Sequence, residues 1–344
     1  MTASFGWDLG GANLKLARVE GTEVVAVAQI PCPPLPEPGK FDRAVEEALL
    51  LCGEDARHGV TMTGELSDVF QNRAEGVAYL VELMSHATGE DTLFYSLKDG
   101  LIGTDAATEN WRDVASANWH ASAALAAKVC GDGLMMDMGT TTTDLIPFKD
   151  GTPAAKGATD GERLTEGELI YGGVVRTPVI AVAQTAPFKG RMQGMTAERF
   201  ATMADVYRLT GDLPADADPY PTADLRGKSP EDSAGRLARM LGRDADEVDF
   251  IAWKALAHFL ANRQLAQIEA EARVLIGREG LGQDAPVIGA GCGRFLAERL
   301  ATRLGHPYRD FADIIDCAGE ARDMAAVCAP AVAVALLVSA PAHP

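Results

Sequence analysis

The chain lacks most of the features that would allow a quick assignment. Aromatic residues make up 6% of its 344 positions, and 31 Lys and Arg face 49 Asp and Glu, a net charge of −18. That balance excludes the basic footprint of a nucleic-acid binder and argues against an anionic membrane surface as partner. Six cysteines, Cys32, Cys52, Cys130, Cys292, Cys317 and Cys328, make no C-x-x-C pair and have no histidine at ligand spacing. They read as reduced thiols of a cytoplasmic protein, not as a disulfide framework or a zinc site. The stretch from Ala325 to Ala340 is apolar but only sixteen residues long and contains Pro330, so a buried helix is expected there rather than a membrane span. The opening MTASFGWDLG has no basic region and no long apolar core, so no signal peptide is expected. There is also no G-x-x-x-x-G-K-[ST] loop.

Apolar residues still amount to 47%, ample for the cores of two domains of ordinary size. The informative feature is a sentence written twice. Asp8-Leu-Gly10-Gly11-Ala-Asn13-Leu-Lys15 stands near the start and Asp137-Met-Gly139-Thr140-Thr141-Thr142-Thr143-Asp144 in the middle. Each copy follows a short apolar run and continues through a second one into a turn, Glu20-Gly21-Thr22 or Asp150-Gly151-Thr152. Both predict strand, tight Gly loop, strand. An acid ending a buried strand, followed by residues that bare backbone N–H groups, can hold a hydrated cation against phosphate oxygens. Two such hairpins facing each other would clamp a diphosphate. The seventh residue after each leading acid is charged: Lys15 can neutralise phosphate, and Asp144 can act as a base. Taken singly, either copy is also compatible with a plain hairpin turn.

Between and after the copies, the pattern suggests α/β layers. A Pro-rich loop (PCPPLPEPG) leads to a helix at about 41–52, then to a strand ending GVTMTGELSD. A strand TLFYSL follows, and an Ala-rich helix from Ser116 to Lys128 runs into the second hairpin. Residues 188–248 read as a helical insertion around the polar piece DLPADADPYPTADLRGK. A long helix is expected at about 249–277. The next segment, Gly289-Ala-Gly291-Cys-Gly293-Arg294, reads as a Gly loop between strand and helix, but Arg294 stands where the dinucleotide fingerprint requires glycine. That loop is either a tight strand-to-helix connection or a receptor for a phosphate or flat ring. MAAVCAPAVAVALLVSA closes the chain as a small-residue helix suited to close packing.

In this order, the two acidic hairpins, the crossing helix, the late G-x-G loop and the final helix resemble the actin/sugar-kinase/Hsp70 superfamily. The resemblance implies a two-lobed α/β fold of mixed sheets flanked by helices. The first lobe would be residues 1–128, completed by the C-terminal helix 323–340, and the second 129–322. Asp8 and Asp137 would then hold Mg²⁺ through water. Gly10, Gly11, Asn13, Gly139, Thr140, Thr141 and Thr142 would bind phosphates, with Gly289, Gly291 and Gly293 on the adenosine side. Ala12 and Asn13 stand where many members carry Thr, so the first loop has fewer hydroxyls for a triphosphate.

Within the superfamily, the strings GWDLGGANLKLA, TMTGELSDVF, SANWHASA, MDMGTTTTDLIP, GELIYGGVVRTPV and FATMADVYRLTGDLPADADPYPTADLRGKS are similar to hydantoinase/oxoprolinase-related proteins of tetrahydromethanopterin-linked one-carbon metabolism. That family includes the archaeal methanofuran-biosynthesis enzyme that joins the phenol of γ-glutamyltyramine to an aminomethylfuran methyl diphosphate and releases pyrophosphate. The resemblance implies small-molecule substrates of those kinds, with self-association left open. Asp144 is the first candidate for the base, Glu65 and Asp68 the next; Asp144 could instead be a second-sphere metal ligand or turn acceptor. Glu65 or Asp68 could hold the aminomethyl cation, and Glu65 could simply cap a helix beginning near Leu66. Asn118 could bond a metal-bound water, and Tyr171 and Arg176 could contact the glutamyl substrate. Tyr207, Trp253 and Phe259 read as core. The alternative is an ATP-dependent kinase or ring-opening hydrolase. An Hsp70-type switch lacks its peptide-binding domain, and an actin-like filament former has no support in the sequence.

Overall fold

The computed structural model describes residues 3–32, 37, 39–53 and 56–340. Most of the Pro-rich loop lies outside them. Strands β1 (Ser4–Leu9), β2 (Asn13–Glu20) and β3 (Glu23–Pro31) form the opening meander, followed by α1 (Lys40–Leu49), β4 (Arg57–Met62), α2 (Arg73–Thr88), β5 (Leu93–Ser96) and β6 (Gly100–Ile102). Helices α3 (Thr104–Glu109), α4 (Trp111–Val114) and α5 (Asn118–Cys130) lead to β7 (Gly133–Met138), β8 (Thr143–Lys149) and β9 (Thr152–Pro153). Then come α6 (Asp160–Thr165), β10 (Leu169–Ile170), α7 (Val179–Val182), the hairpin β11 (Thr185–Phe188) and β12 (Arg191–Gly194), α8 (Met203–Thr210), α9 (Pro230–Met240) and α10 (Phe250–Glu279). The chain finishes with β13 (Val287–Ala290), α11 (Arg294–Leu304), β14 (Tyr308–Asp310), β15 (Asp316–Cys317), α12 (Arg322–Val327) and α13 (Ala329–Ser339). One seven-stranded sheet has the order β15-β3-β2-β1-β4-β5-β6, and a second has β10-β8-β7-β13-β14 with β9 paired to β8.

The chain divides into two compact units, Met1–Met135 with Ile146–Glu166 and Arg309–Pro344, and Met136–Leu145 with Gly167–Tyr308. Three of the four changeovers fall inside β7, β8 and β14, strands that run on without a break, and the fourth falls between α6 and β10, whereas the sequence suggested a boundary at 128.

In the first unit, β1 alternates. Phe5, Trp7 and Leu9 are buried in the core with Val60 and Met62 of β4 and with helices α1 and α2. The other face carries Gly6 on β1 and Gly59 on β4, which are partners in the parallel register. A Cβ on Gly6 would lie 2.0 Å from the Ala331 carbonyl oxygen, and one on Gly59 2.4 Å from Val338. The two glycines therefore form a trough in which α13 lies directly on the strands, and Ser339 Oγ donates to the Gly21 carbonyl at its far end. The expected single helix over 323–340 is two, α12 and α13, because Pro330 in the first turn of α13 cannot continue a preceding helix. No described helix is long and apolar enough to cross a membrane. All six cysteines are free thiols.

In the second unit, the segment expected to be a helical insertion opens instead with a β-hairpin. Phe188 pairs with Arg191 across Lys189 and Gly190, and both of those residues have positive φ, 47° and 74°, as a type I′ turn requires. The TAERFATMADVYRLTG segment is helical only from Met203 to Thr210, capped by Thr202 in a capping box with Asp205. The polar piece that follows is held by a buried arginine. Arg236 Nε donates to Asp205 at 2.8 Å and its Nη1 to Asp224 at 3.0 Å, while Arg208 pairs with Asp218.

Candidate functional site

The first acidic loop is built at the ends of β1 and β4. Asp8 is buried, lies opposite Lys15 on β2 and stands beside Thr61 on β4. Lys15 Nζ is 3.2 Å from Asp8 Oδ2, whereas Asp8 Oδ1 is buried without a hydrogen-bond partner among the described residues, as are Thr61 Oγ1 and Asn13 Oδ1. Three buried oxygens without donors thus lie on neighbouring strands near one end of the first sheet. That arrangement fits a cation or a donor-bearing ligand, since unsatisfied buried polar atoms are costly. In the loop itself, the Gly10 N–H donates to the Asp8 carbonyl, Cys32 N–H to that of Ala12, and Lys40 Nζ to that of Gly11 at 3.3 Å. The sequence pattern alone does not single out Lys40. Its one signal is an anomaly: a cation in the first turn of a helix opposes the macrodipole, so it implies a specific partner. Burial lowers the pKa of its amine.

Thr63 N–H donates to the Leu9 carbonyl, which places the loop after β4 beside the first hairpin. The turn Gly64–Leu66 buries Glu65 to 2% exposure. Ser116 Oγ donates to Glu65 Oε1 at 2.7 Å, and Oε2 has no partner. Burial raises the Glu65 pKa, partly offset by the Ser116 bond. Ser116 itself sits at φ 53°, a left-handed conformation unusual for serine. Glu65 does not cap the following helix, as one reading had it. That helix starts at Arg73 and is capped by Asn72, whose side chain accepts from Glu75 N–H at 3.0 Å. Asp68 is exposed, and its charge acts on Lys40, opposing the lowering of that amine's pKa by burial. Asn118 opens α5, and its Oδ1 accepts from the N–H of Trp119.

The second loop is held differently. Gly139 N–H donates to the Thr142 carbonyl, but the Gly139 carbonyl accepts from Val174 N–H at 3.1 Å, and the Thr140 carbonyl from Val175 and Arg176 N–H groups at 3.2 and 2.8 Å. The amides of Thr140, Thr141 and Thr142 donate to no acceptor among the described residues, leaving three successive donors of the kind that anions take up. Asp137 is the next-to-last residue of β7, and Asp144 lies on β8 opposite Leu169; both are half-buried. Tyr171 and Arg176 flank the supporting segment with exposed side chains.

The third loop packs onto the second. Gly291 has φ 80°, and a Cβ there would lie 2.3 Å from the Met138 carbonyl oxygen and 2.6 Å from Asp137 Oδ1. Gly293 N–H donates to the Met138 carbonyl at 2.8 Å, and Gly289 is buried in β13 against Tyr308. These contacts account for the glycines as a tight strand-to-helix connection against the Asp137 strand.

Among the described residues, no three His, Cys, Asp or Glu side chains gather as a metal cage. The Asp8 carboxylate, with one oxygen unpartnered among the described residues, fits Mg²⁺, which is typically held by one or two carboxylates together with substrate phosphates.

Two α/β units, each carrying an acid-led Gly loop between strands, define the actin/sugar-kinase/Hsp70 type of fold. The nucleotide-free structure of acetone carboxylase shares the fold at a TM-score of 0.59 and 10% identity, covering 96% of this chain and 70% of that one. Residues 57–338 match the hydantoinase/oxoprolinase family, and the chain belongs to it. It is 30% identical over 288 residues to the (4-{4-[2-(gamma-L-glutamylamino)ethyl]phenoxymethyl}furan-2-yl)methanamine synthase of Methanocaldococcus jannaschii, covering 83% of this chain and 85% of that protein. It is 32% identical over 115 residues to the synthase of the same name from Methanococcus vannielii, covering 33% of this chain and 51% of that protein.

Proposed function

We propose that this chain is a transferase that condenses the phenol of γ-glutamyltyramine with an aminomethylfuran methyl diphosphate in the biosynthesis of a methanofuran-type cofactor. The observation that carries the reading is the 30% identity, over 83% of the chain, to a synthase named for that ether product. The phenol oxygen forms a bond to the furan-bearing methylene carbon as that carbon's bond to the diphosphate oxygen breaks. The phenol proton goes to a base, and pyrophosphate leaves.

The protein's task is then mainly electrostatic. The unbonded amides of Thr140 to Thr142 receive anionic oxygens. Lys15 supplies positive charge at the first loop, and Asp8 and Asp137 are the residues that would hold Mg²⁺. When bound, that ion stabilises negative charge on the leaving diphosphate. A phenol of pKa about 10 is about one part in a thousand ionised at pH 7, a deficit of roughly 4 kcal/mol against full phenolate, and general-base help offsets part of it. Asp144 is the first candidate for that base, being half-buried and two residues beyond the loop. Glu65, with its raised pKa, is the second, and Asp68, being exposed, the third. Tyr171, Arg176 and Asn118 remain candidates for substrate contact.

A second reading, an ATP-dependent kinase or hydrolase, is supported by the same loop amides, which would accept a nucleotide's phosphates equally well. One experiment separates the two. Purified protein, Mg²⁺, γ-glutamyltyramine and the furan diphosphate are assayed for pyrophosphate, beside an ATP-dependent ADP assay. Pyrophosphate with an ether of matching mass is expected without ATP. A strict need for ATP with ADP formed would overturn the transferase reading.

A further inference from the structure

Behind the second loop lies a chain of buried polar groups that the reaction does not touch. Tyr207 on α8 donates its hydroxyl to Gln264 Oε1 at 2.7 Å. That bond fixes the orientation of the Gln264 amide, whose Nε2 donates to the Gly173 carbonyl at 3.1 Å. The same carbonyl accepts from Thr177 Oγ1, which in turn accepts from Gly173 N–H, and Thr143 Oγ1 donates to the Gly172 carbonyl at 2.6 Å. Tyr207 and Gln264 are 0% and 2% exposed, so none of this serves solvent.

The Gly172–Gly173 turn is gripped because of what it touches. A Cβ on Gly173 would lie 2.4 Å from the Thr140 carbonyl carbon and the Thr141 nitrogen, so the two backbones are in direct contact. The amides that follow, Val174 to Arg176, take the carbonyls of Gly139 and Thr140. Because a trans peptide is planar with C=O and N–H opposed, pinning those two carbonyls turns the N–H groups of Thr140 and Thr141 to the opposite side. Removal of the Gln264 donor loosens the turn that sets this direction.

We propose that Gln264 is a positioning residue for the second loop, with Tyr207 setting its amide, so that the ordered insertion helix and the aim of the loop's N–H groups are linked. The proposal rests on the diphosphate reading only for the choice of probe. The test uses the full chain with Mg²⁺ and inorganic pyrophosphate, in Gln264→Met and the milder Tyr207→Phe, which retains fold if the first does not. In Gln264→Met, pyrophosphate affinity should fall about tenfold or more while γ-glutamyltyramine affinity stays within about twofold. Amide exchange should accelerate at residues 174–176 ahead of the rest of the unit. Tyr207→Phe should show the same pattern, smaller. Equal losses for both ligands, or unchanged protection at 174–176 in both variants, overturn the proposal. If wild-type protein ignores pyrophosphate, the diphosphate reading fails instead, and exchange at 174–176 alone decides the positioning role.

Discussion

The two oxygens of Asp8 are in different circumstances, one held by Lys15 at 3.2 Å and one buried without a partner. Asp8→Asn keeps the shape and removes the charge, so the Mg²⁺ concentration for half-maximal turnover should rise by about tenfold or more; an unchanged Mg²⁺ titration would remove Asp8 from the metal site. Asp144→Asn should cost turnover and shift the pH profile while leaving substrate binding intact, and a wild-type rate and profile would pass the base role to Glu65. His58 makes a separate prediction about stability. Its Nδ1 accepts from Trp7 Nε1–H at 3.1 Å, so the imidazole must be neutral there, and burial pushes its pKa down to about 4. The unfolded chain binds the proton near pH 6.5, so this contribution is complete above that pH and is lost as pH falls toward 4, by up to about 3 kcal/mol. Urea unfolding from pH 7.5 to 4.5 should be visibly flatter for His58→Phe than for wild type. At this scale the two strand, Gly loop, strand patterns were legible, because the chemistry of a Gly loop restricts which residues can stand in it. Lys40 and Ser116 were not, since their bonds to Gly11 and Glu65 join positions far apart in the chain and no local pattern announces them.

Among the elements, α13 is set by the trough of Gly6 and Gly59. Added methyls meet different obstacles there: the Ala331 backbone carbonyl at Gly6, and the ends of the Val338 and Val334 side chains at Gly59. Gly6→Ala should therefore cost about 3 kcal/mol or more and Gly59→Ala about 1–3. Equal denaturation midpoints for the two variants would contradict the trough. The composition of this helix was legible as small-residue packing, but its seat was not, because the strands it covers lie some 300 positions earlier in the chain. The hairpin at Lys189-Gly190 escaped notice for a local reason. Its turn uses Lys in a left-handed conformation, where Asn-Gly or Asp-Gly would have announced it.

For the molecule as a whole, the order of the motifs carried the fold, since two hairpins, a crossing helix, a late Gly loop and a final helix leave few topologies open. Three of the four points of changeover between units were not legible, because continuous strands carry no break in pattern. A net charge of −18 repels an anionic diphosphate at long range. Raising salt from about 10 to 150 mM should therefore increase kcat/KM for that substrate about two- to fivefold, with little change for the phenol; a fall would point to a local basic funnel instead. The seat of α13 also governs how the protein is born. Strands β1 to β4 are made well before the helix that covers one of their faces, residues 329–339, and before the edge strand β15 beside β3, Asp316–Cys317. Until those late segments emerge, the nascent first sheet stays bare on one side, exposing apolar surface of the kind that chaperones hold.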